Sequence, residues 1–130
     1  MQPLYLNNIS ILNKSIEDQQ LNDLKAQFNE ALPEDYIELL RFTDGLTLKS
    51  GLIIYSSQNI FERNETLEVR TYAPNYLAIG DDSGGRSILI PFHGMGVYLV
   101  DQGSLDPRDM KKISQSLNSW LLDGLEFSNS

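Results

Sequence analysis

Three short apolar runs crowd into the second half of the chain: Tyr76–Ile79, Ser87–Phe92 and Val97–Val100. Two connections join them, Gly80-Asp-Asp-Ser-Gly-Gly85 and His93-Gly-Met-Gly96. Both are glycine-rich and short enough to be tight turns. Consecutive strands linked this way pair antiparallel, so the stretch predicts a meander. Whatever else the chain builds has to pack around that sheet.

The flanking segments carry helical periodicity. Ser15-Ile-Glu-Asp18 reads as a helix start, with Ser15 as the cap and Asp18 near the positive end of the helix dipole. Leu21, Leu24 and Phe28 follow on one face, and the helix should end near Asn29. A second helix starts at Leu32-Pro33-Glu34-Asp35-Tyr36, with Pro33 at the first helical position and two carboxylates in the first turn. Tyr36, Leu39 and Leu40 supply its buried stripe, and Gly45 offers a left-handed stop. Leu46–Leu48 and Leu52–Tyr55 read as short strands interrupted by Gly51. The polar stretch Ser56–Arg70 predicts a short helix and then a loop. Asp106-Pro107-Arg108-Asp109 reads as the start of a last helix, with Asp106 as cap. Met110, Ile113, Leu117, Trp120 and Leu121 would form its apolar face, and Gly124 its end.

This order predicts an α+β fold: two N-terminal helices, a mainly antiparallel β-sheet and a C-terminal helix packed on it, with the helices on one side. No internal repeat, low-complexity tract or Pro/Ser-rich linker divides the chain, so residues 1–130 are expected to form a single domain. At this length folding buries roughly two-thirds of the unfolded surface, enough for an ordinary core. The Leu52–Tyr55 run, if it lies at a sheet edge, offers a way to pair with a second copy, so both monomer and dimer remain open.

Composition limits the chemistry. The chain has no cysteine and one histidine, which excludes a disulfide framework, a thiolate metal site and a multi-histidine site within the chain. A net charge of −8 argues against direct nucleic-acid binding, which needs Lys and Arg to displace counterions. That charge is uneven: residues 1–45 carry −5, residues 46–80 are neutral and residues 81–130 carry −3. The chain start has no signal-peptide pattern and no segment approaches membrane-spanning length, so a cytoplasmic protein is expected. The Asn-x-Ser/Thr triplets at Asn8, Asn13 and Asn64 then carry no glycosylation meaning.

Asp82-Ser83-Gly84-Gly85 resembles the nucleophile signature of chymotrypsin-like proteases, but the only histidine, His93, follows it by ten residues and no further triad context is present. A turn accounts for it better, since aspartates bond their own backbone and glycines supply positive φ. Asp81, Asp82 and Asp101 do not match a calcium-loop spacing, and the glycines do not form a phosphate loop. No enzyme activity, metal or cofactor is expected from these residues.

Several of these segments together resemble one family. Leu32-Pro33-Glu34-Asp35-Tyr36-Ile37-Glu38-Leu39-Leu40, followed by Thr43-Asp44-Gly45, is similar to its "LPxDY…fL…NG" helix, with Asp44 where asparagine is usual. Tyr76-Leu-Ala-Ile-Gly-Asp-Asp-Ser-Gly-Gly85 resembles its strand and turn, and Gly96-Val97-Tyr98 with Asp101 its next strand. Gln115–Leu121 resembles its closing helix, with Leu117 in place of phenylalanine. The family is the SUKH superfamily, which includes the Smi/Knr-type proteins, and the resemblance runs from about Ser15 to Leu125.

The resemblance implies an α+β sandwich without an invariant catalytic set. It implies that Pro33, Tyr36, Gly45, Gly80, Asp81, Gly84 and Gly85 maintain the fold, and Trp120 is read as core. For bacterial members it implies an immunity protein that binds and blocks a cognate toxin, often a nuclease, without catalysis. Fungal members imply the alternative of an adaptor in cell-wall regulation. With the acidic charge, the first implication makes a basic toxin the expected partner, and Glu34, Asp35, Asp44, Asp81, Asp82 and Asp101 the candidate contact residues.

Overall fold

A computed structural model describes residues 9–126. Asn8 lies outside them. The chain runs through β1 (Ile9–Leu12), α1 (Asp18–Gln27), α2 (Glu34–Phe42), β2 (Leu46–Leu48), β3 (Ile53–Ile54), α3 (Ile60–Thr66), α4 (Val69–Tyr72), β4 (Tyr76–Asp81), β5 (Arg86–Pro91), β6 (Val97–Asp101), β7 (Lys111–Ser114) and α5 (Leu117–Leu122). The seven strands form one sheet in the order in which they occur, and every neighbouring pair is antiparallel. The expected α+β meander is present, extended by a strand at each edge.

Several expectations need correction. Leu52–Tyr55 is not an edge: β3 lies between β2 and β4, and the outer strands are β1 and β7. On β1, Ile11 and Leu12 are 55% and 48% exposed. The long C-terminal helix is broken as well. Asp106 caps only a 3-10 turn over Pro107–Asp109, its carboxylate accepting the Arg108 N–H at 2.9 Å. Lys111–Ser114 then pairs with β6 instead of continuing a helix, because that strand's open backbone groups need a partner and two lysines suit an exposed edge. The helix proper starts at Ser116, whose Oγ accepts the Ser119 N–H at 3.0 Å. At the other end of the chain Glu17, not Ser15, precedes α1, and its N–H donates to Gln20 Oε1 at 2.9 Å.

Helices cover both faces of the sheet, rather than one. Strand alternation sends Leu77, Ile79, Ile88, Ile90, Val97 and Leu99 into a large core with Leu21, Leu24, Tyr36, Leu39, Leu40, Leu117 and Trp120 from α1, α2 and α5. The intervening Ala78, Leu89 and Val100 meet Val69 and Ala73 of the α4 segment in a smaller second core. The stretch expected to be a loop after the first short helix therefore holds α4, because the second face needs cover.

The motif residues sit at packing junctions. Pro33 precedes α2, and its carbonyl accepts the N–H groups of Tyr36 and Ile37 at 3.1 and 3.2 Å. Tyr36 is fully buried and its hydroxyl donates to the Tyr55 carbonyl at 3.0 Å. Burial first, and nearby Asp44 second, push that hydroxyl well above the usual tyrosine range, so it remains a donor. Trp120 is buried, with its indole N–H donating to the Glu126 carbonyl at 3.0 Å. Gly45 has φ +96°, as a left-handed stop requires. Gly80 is different from a turn glycine: it lies inside β4 paired with Ile54, and a Cβ there would overlap the Ile53 carbonyl oxygen. In the β4–β5 turn the positive φ falls on Ser83 and Gly85, not Gly84.

Gly80→Ala should therefore lower stability by about 3 kcal/mol, since the obstructing atom is backbone and cannot rotate aside. Gly84→Ala, whose added carbon would meet only the Asp82 carboxylate at 3.4 Å, should stay within about 1 kcal/mol. Urea unfolding midpoints of the two variants check this, and equal losses would refute the close-approach account.

Candidate partner-binding face

The six carboxylates singled out in the sequence do not form one patch. Asp44 follows α2 and is half-buried. Its oxygens accept the Ser57 N–H at 2.6 Å and the Ser57 hydroxyl at 2.7 Å, pinning the segment after β3 to the end of α2. Asp81 closes β4. It accepts the Tyr55 hydroxyl at 2.6 Å and the Ser83 N–H at 2.8 Å. Burial, then the bond to Asp81, push the Tyr55 hydroxyl well above its ordinary range. Asp82 accepts the N–H groups of Gly84 and Arg86 at 2.8 and 3.0 Å and the Arg86 Nε at 2.7 Å. Asp101 stands opposite Arg86 across the β5–β6 pair and accepts the Gly103 N–H at 2.8 Å. These four shape loops and turns.

The serine-protease pairing does not form. Ser83 precedes β5 and His93 follows it, so the six residues of that strand separate them by roughly 20 Å. The Ser83 hydroxyl instead donates to the Gly51 carbonyl at 2.5 Å. Among the described residues no group of three or more His, Asp and Glu side chains is placed to hold a metal ion. None of the described helices is long and apolar enough to cross a membrane.

Glu34 and Asp35 are placed differently. They open α2 at the other end of the sheet, beside the β5–β6 turn with Phe92, Gly94, Met95 and Gly96. No hydrogen bond or ion pair to a described residue engages either carboxylate. Met95 projects from the turn, 66% exposed. Phe92 joins this hollow to a second one lined by Phe28, Glu30, Phe61, Glu65, Arg70 and Tyr76. The resulting face combines half-buried rings, an exposed methionine and carboxylates with weak or no internal partners. Aromatic and methionine side chains ringed by polar groups are the usual composition of a protein contact surface.

Sequence reasoning missed Glu30, Phe61, Phe92 and Met95 as members of this face. Phe28 was expected in the buried stripe of the first helix. The helix stops at Gln27, however, and Phe28 continues in extended conformation onto Phe61, ring centres 5.3 Å apart and edge to face. Phe61, one of four apolar residues scattered through the mostly polar Ser56–Arg70 stretch, was the available signal.

Two predictions separate the structural carboxylates from the free ones. Asp44→Ala should cost about 2 kcal/mol by leaving the Ser57 N–H and hydroxyl unanswered, whereas Glu34→Ala and Asp35→Ala should each stay within about 1 kcal/mol. Thermal unfolding of the three variants reads this directly. For Asp82, partial burial favours the neutral acid, but the bonds from Arg86 and Gly84 outweigh it and hold the carboxyl below the ordinary range. Its contribution to stability is complete above the unfolded value of about 4 and disappears as pH falls through the lower folded value. Asp82→Asn should thus narrow the gap between urea midpoints at pH 7 and pH 3; an unchanged gap would show that Asp82 does not contribute to acid sensitivity.

Comparison with known proteins shows the family. The chain is similar to "Uncharacterized protein YnaB" of Bacillus subtilis (strain 168), with 26% identity over 105 residues, covering 78% of this chain and 71% of that one. The sequence profile of the SMI1 / KNR4 family (SUKH-1) matches residues 15–123, from just before α1 through the end of α5. The chain belongs to the SMI1 / KNR4 family (SUKH-1).

Proposed function

We propose that this protein is an immunity protein: it binds a cognate toxin, a basic nuclease-type domain, and blocks it by occupying a surface, without chemistry of its own. Family membership supports the reading, because the resemblance implies an immunity role for bacterial members. The observation that carries it to this chain is the face at the β5–β6 turn. There Glu34 and Asp35 have no hydrogen-bond or ion-pair partner among the described residues and lie beside Phe92 and exposed Met95. A net charge of −8 draws a basic domain toward the molecule, raising the association rate, and the apolar groups hold it after contact. A contact of ordinary size buries about 1,600 Å² in total. On this reading the protein acts in the cytoplasm of the cell it protects, where a nuclease would do its damage.

The test is co-expression with the product of the adjacent gene. The neighbour alone should arrest growth, co-expression should restore it, and the purified pair should bind with a nanomolar Kd. The variant Glu34→Lys/Asp35→Lys should slow association by about tenfold at low salt, with the difference shrinking as salt is added. Binding that leaves the neighbour's activity intact would replace inhibition by the adaptor role, and the absence of both binding and rescue would refute the proposal.

A further inference from the structure

Between the end of α1, the α3–α4 pair and the end of β5 lies a cleft of about 130 Å³. Its walls are the rings of Phe28, Phe61, Tyr76 and Phe92, all half-buried. Glu30 and Glu65 stand at its rim. Cavities of similar volume admit a molecule the size of benzene, so the space suits a single side chain. An aliphatic side chain would satisfy the rings but give the two carboxylates nothing, and an anion would be repelled by them. A planar guanidinium satisfies both, since it stacks on aromatic faces while its N–H fork reaches carboxylates.

The carboxylates at the rim are only loosely engaged. Glu65 lies 3.3 Å from Arg70, with the two side chains 55% and 69% exposed. Glu30 lies 3.7 Å from His93 Nε2, also at the surface. Exposed contacts of this kind contribute little and exchange readily for a better partner. Arg70 is the chain's own cation at this site and competes for Glu65.

We propose that this cleft is an arginine pocket, which takes the guanidinium of one arginine from a basic segment of a protein partner. The source of that arginine rests on the toxin-binding reading; the pocket itself can be tested without any toxin. The full chain is titrated with N-acetyl-arginine amide, and with N-acetyl-leucine amide as the apolar control, while the ring resonances of Phe28, Phe61 and Phe92 are followed by NMR. The arginine derivative should shift these rings saturably with a Kd in the millimolar range, at least about tenfold tighter than the leucine derivative. Glu30→Gln combined with Glu65→Gln should weaken arginine binding at least about threefold, while Arg70→Gln, which removes the competing cation, should tighten it about twofold. The variants change exposed polar side chains, so the fold is retained, and unchanged spectra away from the cleft confirm it. An equal response to leucine, or an arginine affinity unaffected by the double substitution, would overturn the pocket. If arginine binds here but the neighbouring gene product does not, the pocket stands and the toxin reading falls; if the toxin binds while arginine leaves the rings unmoved, the reverse holds.

Discussion

Where β3 meets β4, the sheet is joined by a ladder of only two residue pairs. Ile53 pairs with Asp81 and Ile54 with Gly80, and the Tyr55 N–H still reaches the Ile79 carbonyl at 2.8 Å. Beyond that β3 has ended while β4 continues. The N–H and C=O of buried Ala78, left without a strand partner on this side, are then answered by one side chain: Asn64 of α3 accepts from the first at 2.9 Å and donates to the second at 2.9 Å. An amide has the same donor and acceptor as a backbone unit, so Asn64 stands in for the missing strand residue. Gly80 admits the Ile53 carbonyl, Tyr36 ties α2 to Tyr55, and Tyr55 returns the connection to Asp81. Each bond is worth only about 1 kcal/mol net, but removing one partner leaves a buried group unpaired at a larger cost. Helices α2 and α3 and both halves of the sheet meet along this seam.

The seam explains why total charge is a poor guide to where a partner binds. Asp44 and Asp81 are committed to it, and Asp82 to the adjoining turn. Turning any of these carboxylates toward an incoming cation would break the bonds that hold a loop in place. Their charge still acts at a distance, but screening confines that influence to about 8 Å at physiological salt. At the far end of β5, Glu34 and Asp35 lie in the first turn of α2, where the positive end of the helix favours them. Orientation, rather than number of charges, distinguishes the two ends.

Legibility in the sequence followed the range of the interactions. The β4–β6 meander, α2 and the turn glycines were readable because tight turns and helix starts are encoded within a few residues. The C-terminal segment misled because Met110, Ile113 and Leu117 fit a helical period equally well. What decides it is the unpaired edge of β6, a constraint from residues ten or more positions away. The second-face helix α4 was invisible for a similar reason: Val69 and Ala73 acquire a purpose only once Ala78, Leu89 and Val100 are known to face them. The candidate face was half legible. Glu34 and Asp35 belong to a recognisable motif, whereas Phe28, Phe61 and Phe92 come from three separated segments that only the fold brings together.

Within the face, charge and rings do different work. Glu34 and Asp35 sit at a helix start and remain hydrated, so a cation meeting them exchanges one favourable environment for another. Contacts of that sort speed encounter and add little to the lifetime of a complex. The ring-lined cleft is partly withdrawn from water, and filling it removes apolar surface that the described residues leave uncovered. Buried anchors near the centre of a contact, shielded by a polar rim, are where binding energy concentrates. The same arrangement lets the two properties vary independently. Rim carboxylates can change without touching the seam, and the rings can change without altering the field that steers the approach. A scaffold whose structural carboxylates are fixed at one end leaves the other end free to specify the partner.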